Sequence, residues 1–192
     1  MSTRDEIIDA ARELLWEKGY VATSPRDIQK RASVGQGSMY HHFAGKEEIA
    51  FEAISRSARL LREQAEKDMP DRGSAGDRID DYLRRPRPIL QGCRIGRLTQ
   101  DSGVMESERL RRPVEESFRW AIDRMIRIVR EGIEAGEFLP VDPVGVGTLI
   151  VSSIQGGYVL ARALNSEKPF HDAVNGISLL LDRIRADGSD AG

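Results

Sequence analysis

A single cysteine, Cys93, among 192 residues rules out an intramolecular disulfide and a cysteine cluster for zinc. Histidines number three. Two of them are the neighbours His41 and His42, which point apart on a helix, so no metal site and no other cofactor is expected. Aromatic residues make up only 6% and β-branched runs are few, which removes the usual signs of a sheet. No nucleophile–base pair, no paired acids at a defined spacing and no phosphate-binding glycine loop is present, so an enzyme is not expected. Repeats and low-complexity tracts are also missing. The N-terminal stretch MSTRDEII lacks an apolar signal core, and the expected location is the cytoplasm.

Residues 143–161 are 19 positions without a charge, which imitates a membrane span. Eight of them are glycine or polar, so the expectation is a helix packed on protein and no membrane association. The formal net charge is −2, and the molecule as a whole is no polycation. Between residues 18 and 46, however, Lys18, Arg26, Lys30, Arg31 and Lys46 face one acid, Asp27. That local excess suits a phosphate backbone, although an ordinary solvated surface would look the same.

Arg, Glu, Ala, Leu and Ile dominate what remains, and an all-α fold is expected. Thr3 with Glu6 reads as a capping box that opens the first helix. Ile7, Ala11, Leu14 and Leu15 form its apolar stripe, Trp16 packs at its edge and Gly19 ends it. Ser24 as N-cap and Pro25 as first helical residue start a short helix over 25–32. Residues 33–35 make a turn, a third helix covers 36–43, and Ala44-Gly45 breaks it. A long helix follows from Lys46 to about residue 68. The loop 70–76 is a candidate hinge. Helical stretches are expected over 77–85 and 92–101, interrupted by Pro86 and Pro88. Another long helix covers 107–135, with Pro113 kinking or restarting it. Asp142-Pro143 opens a small-residue helix over 142–165, and a final helix runs over 170–185. Residues 187–192 are expected to be a disordered tail.

Two short helices around a tight turn meet the requirement of a helix-turn-helix. The second must present donors and small residues to the major groove and apolar ones to the core. Gln36, Gly37, Ser38, Tyr40 and His41 fit the outer role, and Met39 and Phe43 the inner one. Gly37 allows close approach to DNA. Gln36 and Ser38 can reach base edges, and glutamine favours adenine.

The ordered set Gly19-Tyr20, Thr23-Ser24, Asp27-Ile28, Ala32-Ser33-Val34, Gly37-Ser38-Met39-Tyr40-His41-His42-Phe43 and Lys46-Glu47-Glu48 resembles the N-terminal domain of the TetR family of transcriptional regulators. Pro25, Gln29 and Gly35 depart from that family's commoner residues. The resemblance implies a three-helix DNA-binding domain over 1–48 and a helical ligand-binding and dimerisation domain over 49–186. It further implies that Ser24, Arg26, Tyr40, His41 and Lys46 contact phosphate, while Gln36, Gly37 and Ser38 specify sequence. The partner would be double-stranded DNA with a palindromic operator. The expected activity is repression relieved by an unknown small-molecule effector. An effector-independent DNA binder of the same fold is the alternative.

A two-fold site needs a dimer. Small residues at 145, 148, 152, 156 and 163 share one helical face, with Leu149, Val159 and Leu160 beside it. The resemblance implies a homodimer through 142–165 and 170–185, as a four-helix interface. It also places the effector among the middle helices, with Tyr82, Cys93, Phe118 and Met125 as candidate pocket residues. Residues of each of these four types are more often plain core than pocket lining. Arg94 is placed to activate the Cys93 thiol.

Overall fold

The computed structural model describes residues 2–186. The tail expected over 187–192 lies outside the described residues. Among them the architecture is all-α: α1 Thr3–Lys18, α2 Pro25–Ala32, α3 Gln36–His42, α4 Lys46–Asp68, α5 Ala75–Arg84, α6 Ser102–Glu106, α7 Glu108–Glu134, α8 Pro143–Ala163 and α9 Lys168–Ile184. The β-type pairing among the described residues is an isolated antiparallel bridge between Phe138 and Arg185.

Local capping chemistry explains most of the starts. Ser24 caps α2 by accepting from the Asp27 N–H, and Asp27 reciprocates toward the Ser24 N–H. Asp142 caps α8 through the N–H groups of Val144 and Gly145. At α1 the cap lies one residue earlier than expected. Ser2 and Asp5 form the capping box rather than Thr3 and Glu6, because the same hydroxyl-x-x-acid pattern occurs in two adjacent registers. Ser74 caps α5, so that helix starts at Ala75 rather than Asp77. Its end is closed by Arg87, whose guanidinium donates to the carbonyls of Tyr82 and Leu83.

Over 92–101 the expected helix does not form. Two short 3-10 turns, Ile89–Gln91 and Gly96–Gln100, take its place. Gly92 between them has a φ of 79°, a conformation no α-helix accommodates. Pro113 neither ends nor restarts α7, which continues past it from Glu108.

Packing separates two compact units. Of the described residues, the first contains 2–61 and 93–118, the second 62–92 and 119–186. This is a different partition from the division at residue 48 that the family resemblance implies. In the first unit, Ile7, Ile8, Leu14, Leu15, Ile28, Met39, Phe43, Ile49 and Ile54 form a core with Ile95, Leu98, Val104, Leu110 and Val114. Each large aliphatic side chain fully buried contributes roughly 1.5–3 kcal/mol. The later segment is therefore a structural part of the first unit.

In the second unit α8 packs on α9. Gly147, Ile150, Val151, Ile154, Gly157, Tyr158 and Ala161 are the buried face of α8. A Cβ at Gly147 would lie 2.8 Å from the Ile126 backbone nitrogen, so glycine is what lets α8 lie against α7 there. The loop expected as a hinge is anchored. The Asp71 carboxylate pairs with Arg124 at 2.7 Å and Arg78 at 3.5 Å, and Arg124 also donates to the Met69 carbonyl at 2.6 Å. The Arg124 guanidinium holds the Asp71 carboxyl below its ordinary pKa.

Candidate nucleic-acid interface

The short helix α3 is amphipathic over only seven residues. Met39 is fully buried and Phe43, its C-cap, is 2% exposed, so these two anchor the helix in the first unit's core. Gln36, Gly37, Ser38, Tyr40 and His41 are exposed, with Tyr40 at 46%. The five residues expected to meet DNA from this helix thus share its outer surface. Gly35, the N-cap, supplies no side-chain bond.

Ser24 is exposed at the start of α2, but its hydroxyl is already committed. It donates to Asp27 Oδ2 at 2.7 Å and accepts from the Asp27 N–H at 3.2 Å. Asp27 also pairs with Lys18 at 2.8 Å. Lys18, then the Ser24 N–H and hydroxyl, hold the Asp27 carboxyl far below its ordinary pKa. A phosphate at this place would have to share the hydroxyl with Asp27.

The local basic excess is smaller than the sequence suggests. Lys18 is paired with Asp27, and Arg31 makes a two-pronged contact with Glu17 at 2.9 and 2.7 Å. Arg26 is exposed. Lys46, the first residue of α4, is half-buried with its ammonium 4.1 Å from the centre of the Tyr20 ring. Burial pushes the Lys46 pKa down, and the nearby Asp101 opposes that.

Tyr20 and Asp101 had no role in the sequence-based expectation. Asp101 accepts from the Tyr20 N–H at 2.6 Å and the Val21 N–H at 3.1 Å. Tyr20 stood in the family-like motif and could have been singled out. Asp101 lies about 80 residues away and carries no local signal.

The four candidate pocket residues divide between the two units. Cys93 and Phe118 are half-buried against the first unit's core. Tyr82 and Met125 are buried in the second, with Arg85 stacked 4.6 Å over the Tyr82 ring. Arg94, the neighbour of Cys93, is engaged on α1. It pairs with Glu13 at 2.9 Å and lies 3.7 Å over the Trp16 ring. None of the four lines the open cleft of about 730 Å³ in the first unit, which has Glu47, Phe51 and Ser55 on one side and Arg109, Arg112 and Glu116 on the other.

Among the described residues no group of three His, Cys, Asp or Glu side chains could hold a metal ion. Among them α8 has the length and composition of a membrane span, with a mean hydropathy of 1.5. Its buried residues are packed within the second unit, as in the core helix of a globular protein. On its other face Gly145, Thr148, Ser152, Gly156 and Ala163 are exposed, together with Leu149, Val159 and Leu160. Leu179 and Leu180 of α9 are also exposed, Leu179 at 67%.

Residues 7–53 match the family model described as "Bacterial regulatory proteins, tetR family", and residues 76–177 match "Tetracyclin repressor-like, C-terminal domain". The chain is similar to the HTH-type transcriptional regulator YxaF of Bacillus subtilis, 26% identical over 175 residues, covering 87% of this chain and 88% of that one. A solved TetR transcriptional regulator from Chloroflexus aurantiacus superposes with a TM-score of 0.82 at 26% identity, covering 96% and 97% of the two chains. The regulator FadR of Bacillus subtilis, solved in complex with stearoyl-CoA, shares the fold with a TM-score of 0.71 at 22% identity, covering 92% and 96%.

Proposed function

Since this chain belongs to the TetR family of bacterial regulatory proteins, we propose that it is a homodimeric transcriptional repressor which leaves a palindromic operator when a small organic effector binds. The observation that carries the reading is α3. Its inner residues, Met39 and Phe43, are locked in the core while Gln36, Gly37, Ser38, Tyr40 and His41 stand outside. That is the arrangement a major-groove helix needs.

In this reading Gln36, Gly37 and Ser38 meet base edges. Ser24, Arg26, Tyr40, His41 and Lys46 hold phosphates and set the register. Residues 1–48 serve DNA, and 49–186 serve the effector and the dimer. The exposed apolar side chains of α8 and α9 support the dimer: Leu149, Val159, Leu160, Leu179 and Leu180 would otherwise stay in water. The effector acts through a coupling free energy, binding the DNA-free state more tightly than the DNA-bound one. FadR's stearoyl-CoA is one relative's ligand and supports an organic effector here.

The test is selection of duplexes from a random-sequence library by the full chain. The expected product is a two-fold symmetric site that binds two chains. Neutralisation of about four phosphates per dimer, by Arg26 and Lys46 of each chain, would give a slope of log affinity against log salt of about −4. A chain that enriches no sequence, or enriches an asymmetric one as a monomer, contradicts the reading.

A further inference from the structure

We propose that Asp101 is a positioning residue of the DNA interface, locking the turn between α1 and α2 in the shape that presents Ser24 and Lys46 to the duplex. The proposal rests on the DNA-binding function argued above. The Asp101 carboxylate is fixed from its own side, since it caps α6 by accepting from the Val104 N–H at 3.3 Å. Its Oδ2 then accepts from two successive amides of the turn, Tyr20 and Val21. Two N–H donors converging on one carboxylate oxygen form a charge-assisted pair of bonds.

Both surfaces are cut away to allow this approach. Gly19 has a φ of 85°, and a Cβ there would lie 2.6 Å from Asp101 Oδ2. On the opposite side, a Cβ at Gly103 would lie 2.9 Å from the Tyr20 ring and 3.0 Å from Val21 Cγ2. The two glycines and the carboxylate thus interlock residues 19–21 with 101–103. Arg97 strengthens the hold by donating to the carbonyls of Trp16 and Glu17 at the end of α1.

The locked turn carries DNA-facing groups at both ends. Thr23 donates to the Gly19 carbonyl at 2.6 Å, and Ser24 follows directly as the α2 cap. The Tyr20 ring is the platform under the Lys46 ammonium. Asp101 lies in the region matching the C-terminal family model, and the turn in the region matching the N-terminal one. Any displacement of residues 101–103 therefore reaches the DNA-facing groups through this contact.

Charge provides the discriminating sign. A carboxylate beside a phosphate-binding lysine repels DNA, so its removal by charge alone would raise affinity for every duplex. A positioning role predicts the opposite for the specific site. The full chain and its Asp101→Asn and Gly103→Ala variants are titrated against the duplex selected by the unaltered chain and against a scrambled duplex. Amide exchange of Tyr20 and Val21 is followed without DNA.

The expected result is an approximately ten-fold loss of affinity for the selected duplex in both variants, about one charge-assisted hydrogen bond's worth, and in Gly103→Ala, where no charge changes, a loss for the scrambled duplex as well, because Ser24 and Lys46 meet phosphates. Exchange at Tyr20 and Val21 is faster in Asp101→Asn. Helical circular dichroism equal to the unaltered chain shows that the fold persists. Gly103→Ala, which keeps the carboxylate, repeats the test without a charge change. Unchanged or increased specific affinity in Asp101→Asn overturns the proposal, as does unchanged amide exchange. If the unaltered chain selects no duplex, the functional reading falls and takes this proposal with it. Normal selection with an unaffected variant overturns this proposal alone.

Discussion

Lys46 is placed between two demands, since its ammonium rests on the Tyr20 ring and is proposed to reach a phosphate. Lys46→Ala is expected to weaken the selected and scrambled duplexes alike and to reduce the salt slope by about one per half-site. Titration at several salt concentrations checks this, and an unaltered slope removes Lys46 from the interface. Asp5 offers a pH test. Its pKa is lowered from 3.8 to about 2, chiefly by the hydrogen bond from Arg56, with Ser2 next. The folded form therefore favours the carboxylate, which stabilises it above about pH 4, and this contribution is lost as pH falls toward 2. In acid unfolding followed by circular dichroism, Asp5→Asn should flatten that limb of the curve. A limb as steep as in the unaltered chain counts against the ion pair. The inward and outward residues of α3 were legible in the sequence, because helical periodicity between two clear breaks leaves little choice of face. The Asp101 contact was not, since it joins residues about 80 positions apart through backbone N–H groups.

Helix starts with a local cause were readable. Ser24-Pro25 and Asp142-Pro143 each put an N-cap before a residue that needs no backbone donor, and α2 and α8 begin there. Residues 92–101 differ from the expected helix, because the apolar spacing of Ile95 and Leu98 suits a 3-10 turn as well as an α-helix, and Gly92, at a positive φ, cannot begin an α-helix there. The exposed face of α8 and α9 carries its own prediction. Leu160→Glu together with Leu179→Glu, both on that face, should give a monomer in sedimentation and lose operator binding, while the helical content stays. A double variant that remains dimeric places the interface elsewhere. Sequence periodicity pointed to this face, but it could not say that Gly147 and Gly157 serve packing against other helices while Gly156 does not. That depends on which side α8 turns to its own unit.

The first compact unit draws its core from two distant parts of the chain. Ile95, Leu98, Val104, Leu110 and Val114 complete the apolar cluster of the first three helices and the start of α4. A fragment ending at residue 61 is therefore expected to lack a cooperative thermal transition, since several fully buried positions lose their packing partners and each such loss costs about 2–5 kcal/mol. Calorimetry on that fragment decides the matter, and a sharp transition would show that residues 93–118 are dispensable. At this scale the amino-acid order already specified the helical class, the family, the outward side of α3 and the strongest helix starts. Each of these depends on residues within a few turns of one another, where periodicity, capping and backbone preference act. Tertiary packing was needed to recruit 93–118 into the first unit, to pair Lys18 and Arg31 with acids, to hold the 70–76 loop on buried arginines and to bring Asp101 to the turn at Tyr20. Those outcomes depend on which distant segments meet, and a one-dimensional pattern carries no record of that.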